Sequence, residues 1–107
     1  MKQYLTPEQT AKLIELGLPK PKGLADAEPS SGKWVREAYS IGELIEMLPK
    51  SIKVNECFFT LVISAGSDNW LVEYNDIAFG SQAGVLEAEL IDALFAEIVI
   101  LKEEEVI

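Results

Sequence analysis

The stretch from Cys57 to Asn75 constrains this chain most. Cys57-Phe58-Phe59-Thr60-Leu61-Val62-Ile63-Ser64 is β-branched and aromatic and nearly all apolar, the composition of a strand. Apolar residues at consecutive positions read as a central strand covered on both faces, at least in part. Ala65 to Asn69 follows, and its Gly66-Ser67-Asp68-Asn69 is turn chemistry. Trp70 to Asn75 then alternates, with Trp70, Val72 and Tyr74 on one face and Leu71, Glu73 and Asn75 on the other. The two runs read as an antiparallel hairpin. Ile77 to Phe79 is expected to add a short third strand.

Helices flank this hairpin. In Thr6 to Leu16, Thr6 caps the start, Pro7 fits the first position and Gln9 completes a capping box. Leu13 and Ile14 supply the apolar face, and Gly17 is placed to end the helix in the left-handed region with Leu18 folding back on Leu13. In Ser40 to Leu48, Ser40 caps, Glu43 completes the box, and Tyr39 and Leu44 occupy the staple positions. Ile41, Leu44, Ile45 and Leu48 repeat at helical spacing. Pro49 forces the preceding residue out of the helical region.

Residues 19–33, with Pro19, Pro21, Gly23, Pro29, Ser30, Ser31 and Gly32, read as a loop whose composition points to mobility. Trp34 to Ala38 reads as a short edge strand. The last helix is expected from about Val85 to Lys102, with Leu86, Leu90, Leu94, Ile98 and Leu101 in one stripe that Ile91 and Phe95 widen. Ile98-Val99-Ile100-Leu101 is apolar all round, more than one packed face requires, so part of this surface is expected to meet another chain. A strand over Ala96 to Leu101 is the alternative; the upstream periodicity favours helix.

The expectation is therefore a single α+β domain over residues 1–107. It has a small antiparallel sheet of two or three strands around the central hairpin, packed with about three helices in the order α-(β)-α-β-β-α. A chain of 107 residues, 49% hydrophobic and 25% charged, is long enough and apolar enough to build its own core. So thin a sheet has its helices on one face, and dimerisation is a way to cover the other.

The chemistry is bounded by what is missing. The chain has no histidine and one cysteine. Ser-His-Asp and Cys-His sites, Cys/His zinc sites and an internal disulfide are excluded. Cys57, in an apolar run, reads as a core residue. Paired carboxylates can act without histidine, and Glu73, Asp76 and Asp68 lie near the hairpin; a calcium ion among them, with Asn69 or Asn75, is the related metal reading. Nothing in their spacing selects them from the other fifteen acids, and a solvated strand face is the plainer account. Gly80-Ser81-Gln82-Ala83-Gly84 lacks the lysine and hydroxyl of a phosphate loop and the spacing of a dinucleotide fingerprint; it reads as a flexible lead into the last helix. No catalytic residue, cofactor or metal is assigned.

A net charge of −9 opposes direct nucleic-acid binding and anionic membranes. No stretch nears the roughly 18 apolar residues of a membrane span, and no signal peptide is read at the N-terminus. A cytoplasmic protein is expected.

Three stretches carry a family likeness: Tyr4-Leu5-Thr6-Pro7-Glu8-Gln9-Thr10 with Leu16-Gly17; Tyr39-Ser40-Ile41-Gly42-Glu43-Leu44-Ile45-Glu46-Met47-Leu48-Pro49-Lys50; and Glu89-Leu90-Ile91-Asp92-Ala93-Leu94. With the intervening tryptophan strand, they resemble small uncharacterised proteins of gut anaerobic bacteria, found in phage-like and other mobile elements. The resemblance implies the order of elements and brings no catalytic residues.

The leading functional expectation is a non-enzymatic accessory protein acting through protein–protein contact, self-associating as a homo-oligomer. Its interaction surface would draw on Trp34, Trp70, Tyr74, Ile98, Val99, Ile100 and Leu101, since amphipathic aromatics are enriched at binding hot spots. An acidic mimic of nucleic acid, inhibiting a DNA- or RNA-binding protein, is the second expectation. A carboxylate- or metal-dependent enzyme is the third.

Overall fold

A computed structural model describes residues 1–26, 35–76, 78 and 80–107. Three helices, α1 (Pro7–Glu15), α2 (Ile41–Met47) and α3 (Leu90–Glu103), accompany two antiparallel sheets. The smaller pairs β1 (Gly23–Asp26) with β2 (Val35–Ala38). The larger has β3 (Ser51–Val54), β4 (Cys57–Ala65), β5 (Trp70–Asp76) and β6 (Gly80–Glu87) side by side in chain order. The fold is α+β, as expected, but the main sheet has four strands and not two or three.

Both short helices are written in their caps. Thr6 Oγ1 accepts from Gln9 N at 3.2 Å and Gln9 Oε1 accepts from Thr6 N at 3.0 Å. Gly17, at φ +91°, sits in the left-handed region. Its N–H donates to Ile14 O and that of Leu18 to Leu13 O, the two bonds of a Schellman ending. Ser40 and Glu43 form the second capping box, and α2 stops at Met47, ahead of Pro49.

Glu43 also reaches beyond its helix. Its carboxylate accepts from Lys22 N at 2.9 Å and Gly23 N at 3.0 Å, which anchors the start of β1 to α2. A Cβ at Gly23 would lie 2.9 Å from Ala38 O, so this approach admits only glycine. Gly23–Asp26 is thus a strand inside the stretch read as loop. The expected edge strand is present as β2, while Trp34, at its start, lies outside the described residues.

The central hairpin pairs Ala65 with Trp70 and Thr60 with Asn75. β3 was not foreseen. It joins β4 through Asn55 and Glu56, at φ +49° and +69°, a two-residue turn with both central residues left-handed. The usual signal for such a turn is Asn-Gly, and Glu56 hides it.

The last helix starts later than expected. β6 takes Gly80–Glu87 and pairs with β5 from Asp76↔Gly80 to Trp70↔Glu87, so the expected lead-in loop and first helical turn are both strand. Ile77 and Phe79 lie outside the described residues. α3 begins at Leu90 with no side-chain cap at Glu89. Glu89 Oε2 instead accepts from Lys2 N at 3.2 Å. No local signal marks this helix start; packing sets it. The alternative of a strand at Ala96 to Leu101 does not occur.

The core lies between α3 and one face of the main sheet. Ile52, Phe59, Val72 and Tyr74 from the sheet are buried with Ile91, Leu94, Ile98 and Leu101 from the helix, and Leu5, Leu13, Tyr39, Leu44 and Leu48 close one end. Lys2 Nζ and Gln9 Nε2 both reach Asp92 Oδ1, at 3.1 and 2.9 Å, tying the N-terminus and α1 to α3. The thinnest dimension of the molecule is 17 Å, room for one helix layer on one sheet layer given about 10 Å between layers.

Candidate interaction surface

Strand side chains alternate between faces, so burial of Ile52, Phe59, Val72 and Tyr74 sends their neighbours to the side away from the helices. There stand Lys53, Phe58, Thr60, Val62, Ser64, Leu71, Glu73, Asn75, Ser81 and Leu86, aligned by the pairings Lys53↔Phe58, Val62↔Glu73, Ser64↔Leu71 and Leu71↔Leu86. Phe58 is 63% exposed and Leu86 61% exposed. Val62 and Leu71 are half-buried by their neighbours.

Among the described residues the charges on this face are Lys53 and Glu73. Lys53 Nζ lies 3.3 Å from Glu56 Oε2 and 5.8 Å from the Phe58 ring centroid. Glu73 Oε2 accepts from Ser81 Oγ at 2.5 Å, and Oε1 from Asn75 Nδ2 at 3.4 Å. A face with one cation and one internally bonded carboxylate is close to neutral in a chain of net charge −9.

The opposite face hides a different group. Glu97 sits within the buried stripe of α3, between Leu94 and Leu101, and is 0% exposed. Neither carboxylate oxygen has a hydrogen-bond partner. Burial, and then the nearby charges of Glu104 and Glu73, pushes its pKa up to about 8. It is therefore mainly protonated at neutral pH. Tyr74 donates to Pro49 O at 2.7 Å, and its pKa is raised by burial first and by Glu97 second.

The residues nominated from sequence are dispersed. Tyr74, Ile98 and Leu101 are core and offer no surface: Ile98 and Leu101 of α3 are used within the chain. Trp70, Val99 and Ile100 are half-buried, the first two packed against that core. Trp34 lies outside the described residues. Glu73 is on the outer face, Asp76 Oδ1 accepts from Ala78 N at 2.8 Å, and Asp68 is exposed in the hairpin turn. No group of three metal-ligating side chains occurs among the described residues. Cys57 is half-buried against the core.

Sequence reasoning missed Phe58, Leu71, Leu86 and Glu97. For the first two the signal was present, since β4 and β5 place apolar residues at both parities. For Glu97 it was the spacing, three residues after Leu94 and four before Leu101, which sets a carboxylate on the apolar stripe. A shallow groove of about 240 Å³ lies between the 19–22 segment and α2, lined by Pro19, Lys20, Lys22, Tyr39, Glu43, Glu46 and Met47. Glu97 takes no part in it, and Tyr39 and Glu43 there are engaged in holding Pro19, Lys22 and Gly23. Among the described residues, no helix is long and apolar enough to cross a membrane. Comparison with protein-family models, curated proteins and solved structures finds no match.

Proposed function

We propose that this chain is a non-enzymatic accessory protein acting through protein–protein contact, and that its contact surface is the outer face of the four-stranded sheet. The observation that carries the reading is the pair of exposed side chains Phe58 and Leu86, with Val62 and Leu71 between them, on a nearly uncharged sheet face. Depletion of charge with retention of aromatic and aliphatic side chains is the composition of an interface centre. The lack of histidine removes the commonest general base, which favours contact over catalysis. A role in a mobile element, implied by the resemblance of the three capped and core motifs, fits a small accessory protein of this kind.

Photocrosslinking tests the reading. A photoreactive phenylalanine at position 58, in cells expressing the chain, is expected to give a discrete adduct, and the same group at position 46, on the exposed side of α2, none. Failure of position 58 to capture any protein overturns it.

A further inference from the structure

Resting on that reading, we propose that the occupant of the outer sheet face is a second copy of this chain, the two sheets stacked face to face with their helices outside. Three observations converge on a copy. First, β4 places Phe58 and Val62, alternating with Thr60 and Ser64, on the face opposite Phe59, part of the pattern of a strand covered on both faces, yet the chain covers only the face that holds Phe59. The missing layer is what a second sheet at about 10 Å supplies.

Second, the charge distribution selects the partner. A basic partner would be recognised by an acidic face, and this chain has acids in abundance, 18 against 9 basic residues. Among the described residues the outer face carries one of each sign: Lys53, paired with Glu56 in the adjoining turn, and Glu73, bonded to Ser81 within the face. A near-neutral face is self-complementary. Stacking two such faces keeps the remaining negative charge on the outside, where two copies repel least.

Third, the area is adequate. Four strands of four to nine residues, at about 3.3 Å per residue and about 4.8 Å between strands, tile roughly 450 Å² before side-chain relief is counted. Two such faces bury on the order of 1,000 Å², where specific interfaces begin. The expected dimer is therefore reversible and concentration-dependent. Its apolar contacts are Val62 and Leu71 on the two inner strands, Leu86 beside Leu71 on the edge strand β6, and Phe58 at the β3–β4 turn end.

Light scattering on the purified chain over a hundred-fold concentration range reads the mass directly. The expected result is a rise from 11.8 kDa toward twice that value. Leu71→Lys, or Phe58→Lys with Leu86→Lys, is expected to weaken the dimer by roughly 30-fold or more, as loss of a hot spot does, while circular dichroism stays unchanged. Leu24→Lys, at an exposed apolar residue on β1, is expected to leave the mass curve alone. A monomer at every concentration, or a dimer indifferent to the outer-face variants, overturns the proposal. Crosslinks from position 58 to a protein of another mass, with the purified chain monomeric, overturn the second copy and leave the contact surface standing. No crosslink at all removes both.

Discussion

Each face of the main sheet meets a glutamate, and the two are held in opposite ways. Glu73 stands on the outer face, half-buried, with Ser81 and Asn75 donating to its oxygens. Glu97 reaches the inner face from α3, is wholly buried, and has no donor. A carboxylate taken out of water without partners is costly while ionised, so it keeps its proton instead. The face packed inside the molecule thus contains a group it accommodates only in neutral form. The face open to solvent, where charge is cheap, has almost none. Neither arrangement follows from solubility or core packing alone, and the contrast supports the proposal that the outer face is a contact surface.

The largest expected effect comes from Glu97. Its pKa is about 8 in the folded chain against an ordinary 4.5, so the folded state binds the proton more tightly than the unfolded one. Below pH 4.5 both states are protonated and stability is full. As pH rises toward 8 the unfolded chain loses its proton while the folded chain resists, and stability falls. The full fall is about 5 kcal/mol on the order-of-magnitude scale of 1.36 kcal/mol per pH unit. Urea titrations from pH 5 to pH 9 check it. Glu104 and Glu73 are the charges that press on Glu97, beside its burial, and Glu97→Gln is expected to flatten the slope. A slope that survives Glu97→Gln breaks the contrast between the faces.

Next in size is an ordinary core deletion on the same face. Ile98 is 0% exposed, and Ile98→Ala is expected to cost about 3 kcal/mol by lost burial and the cavity left behind. Thermal unfolding at pH 6 measures it. A control remote from Glu97 and the inner face is Glu56→Gly. Glu56 holds φ +69° in the β3–β4 turn, a conformation that glycine adopts without strain. The exposed Lys53–Glu56 pair that it removes contributes little. A gain of about 1 kcal/mol is expected, with the pH slope unchanged.

What the sequence revealed follows from how locally each element is determined. The caps of α1 and α2 lie within three residues of the helices they start, and the residues named for them are the ones that bond. The hairpin of β4 and β5 was legible because its turn and its alternation are contiguous. β3 was hidden by Glu56 in place of the usual glycine. β1 was hidden by Pro19, Pro21 and Gly23, because what holds it is Glu43, twenty residues away. β6 and the start of α3 were hidden together: Leu86 continues the helical stripe by spacing, yet its partner is Leu71 across the sheet. The same non-locality moved the candidate surface. Apolar excess on α3 was visible, but only the packed fold shows Ile98 and Leu101 facing inward and Phe58 and Leu86 facing out.

The smallest expected effect is also the most discriminating. Leu86→Ser, measured by urea unfolding at a concentration where the chain is monomeric, is expected to change stability by less than about 0.5 kcal/mol, the usual range for exposed positions away from caps and turns. Leu86 is 61% exposed and pairs only with Leu71 on its own face, so little burial is lost. Deletion of a large aliphatic side chain thus costs several-fold less at Leu86 than at Ile98, although both residues lie in or beside one sheet. If Leu86→Ser costs as much as Ile98→Ala in the monomer, the outer face is part of the chain's own core and holds no surface for a partner. If its cost appears only at concentrations where the chain associates, then the apolar side chains of that face serve association and contribute little to folding.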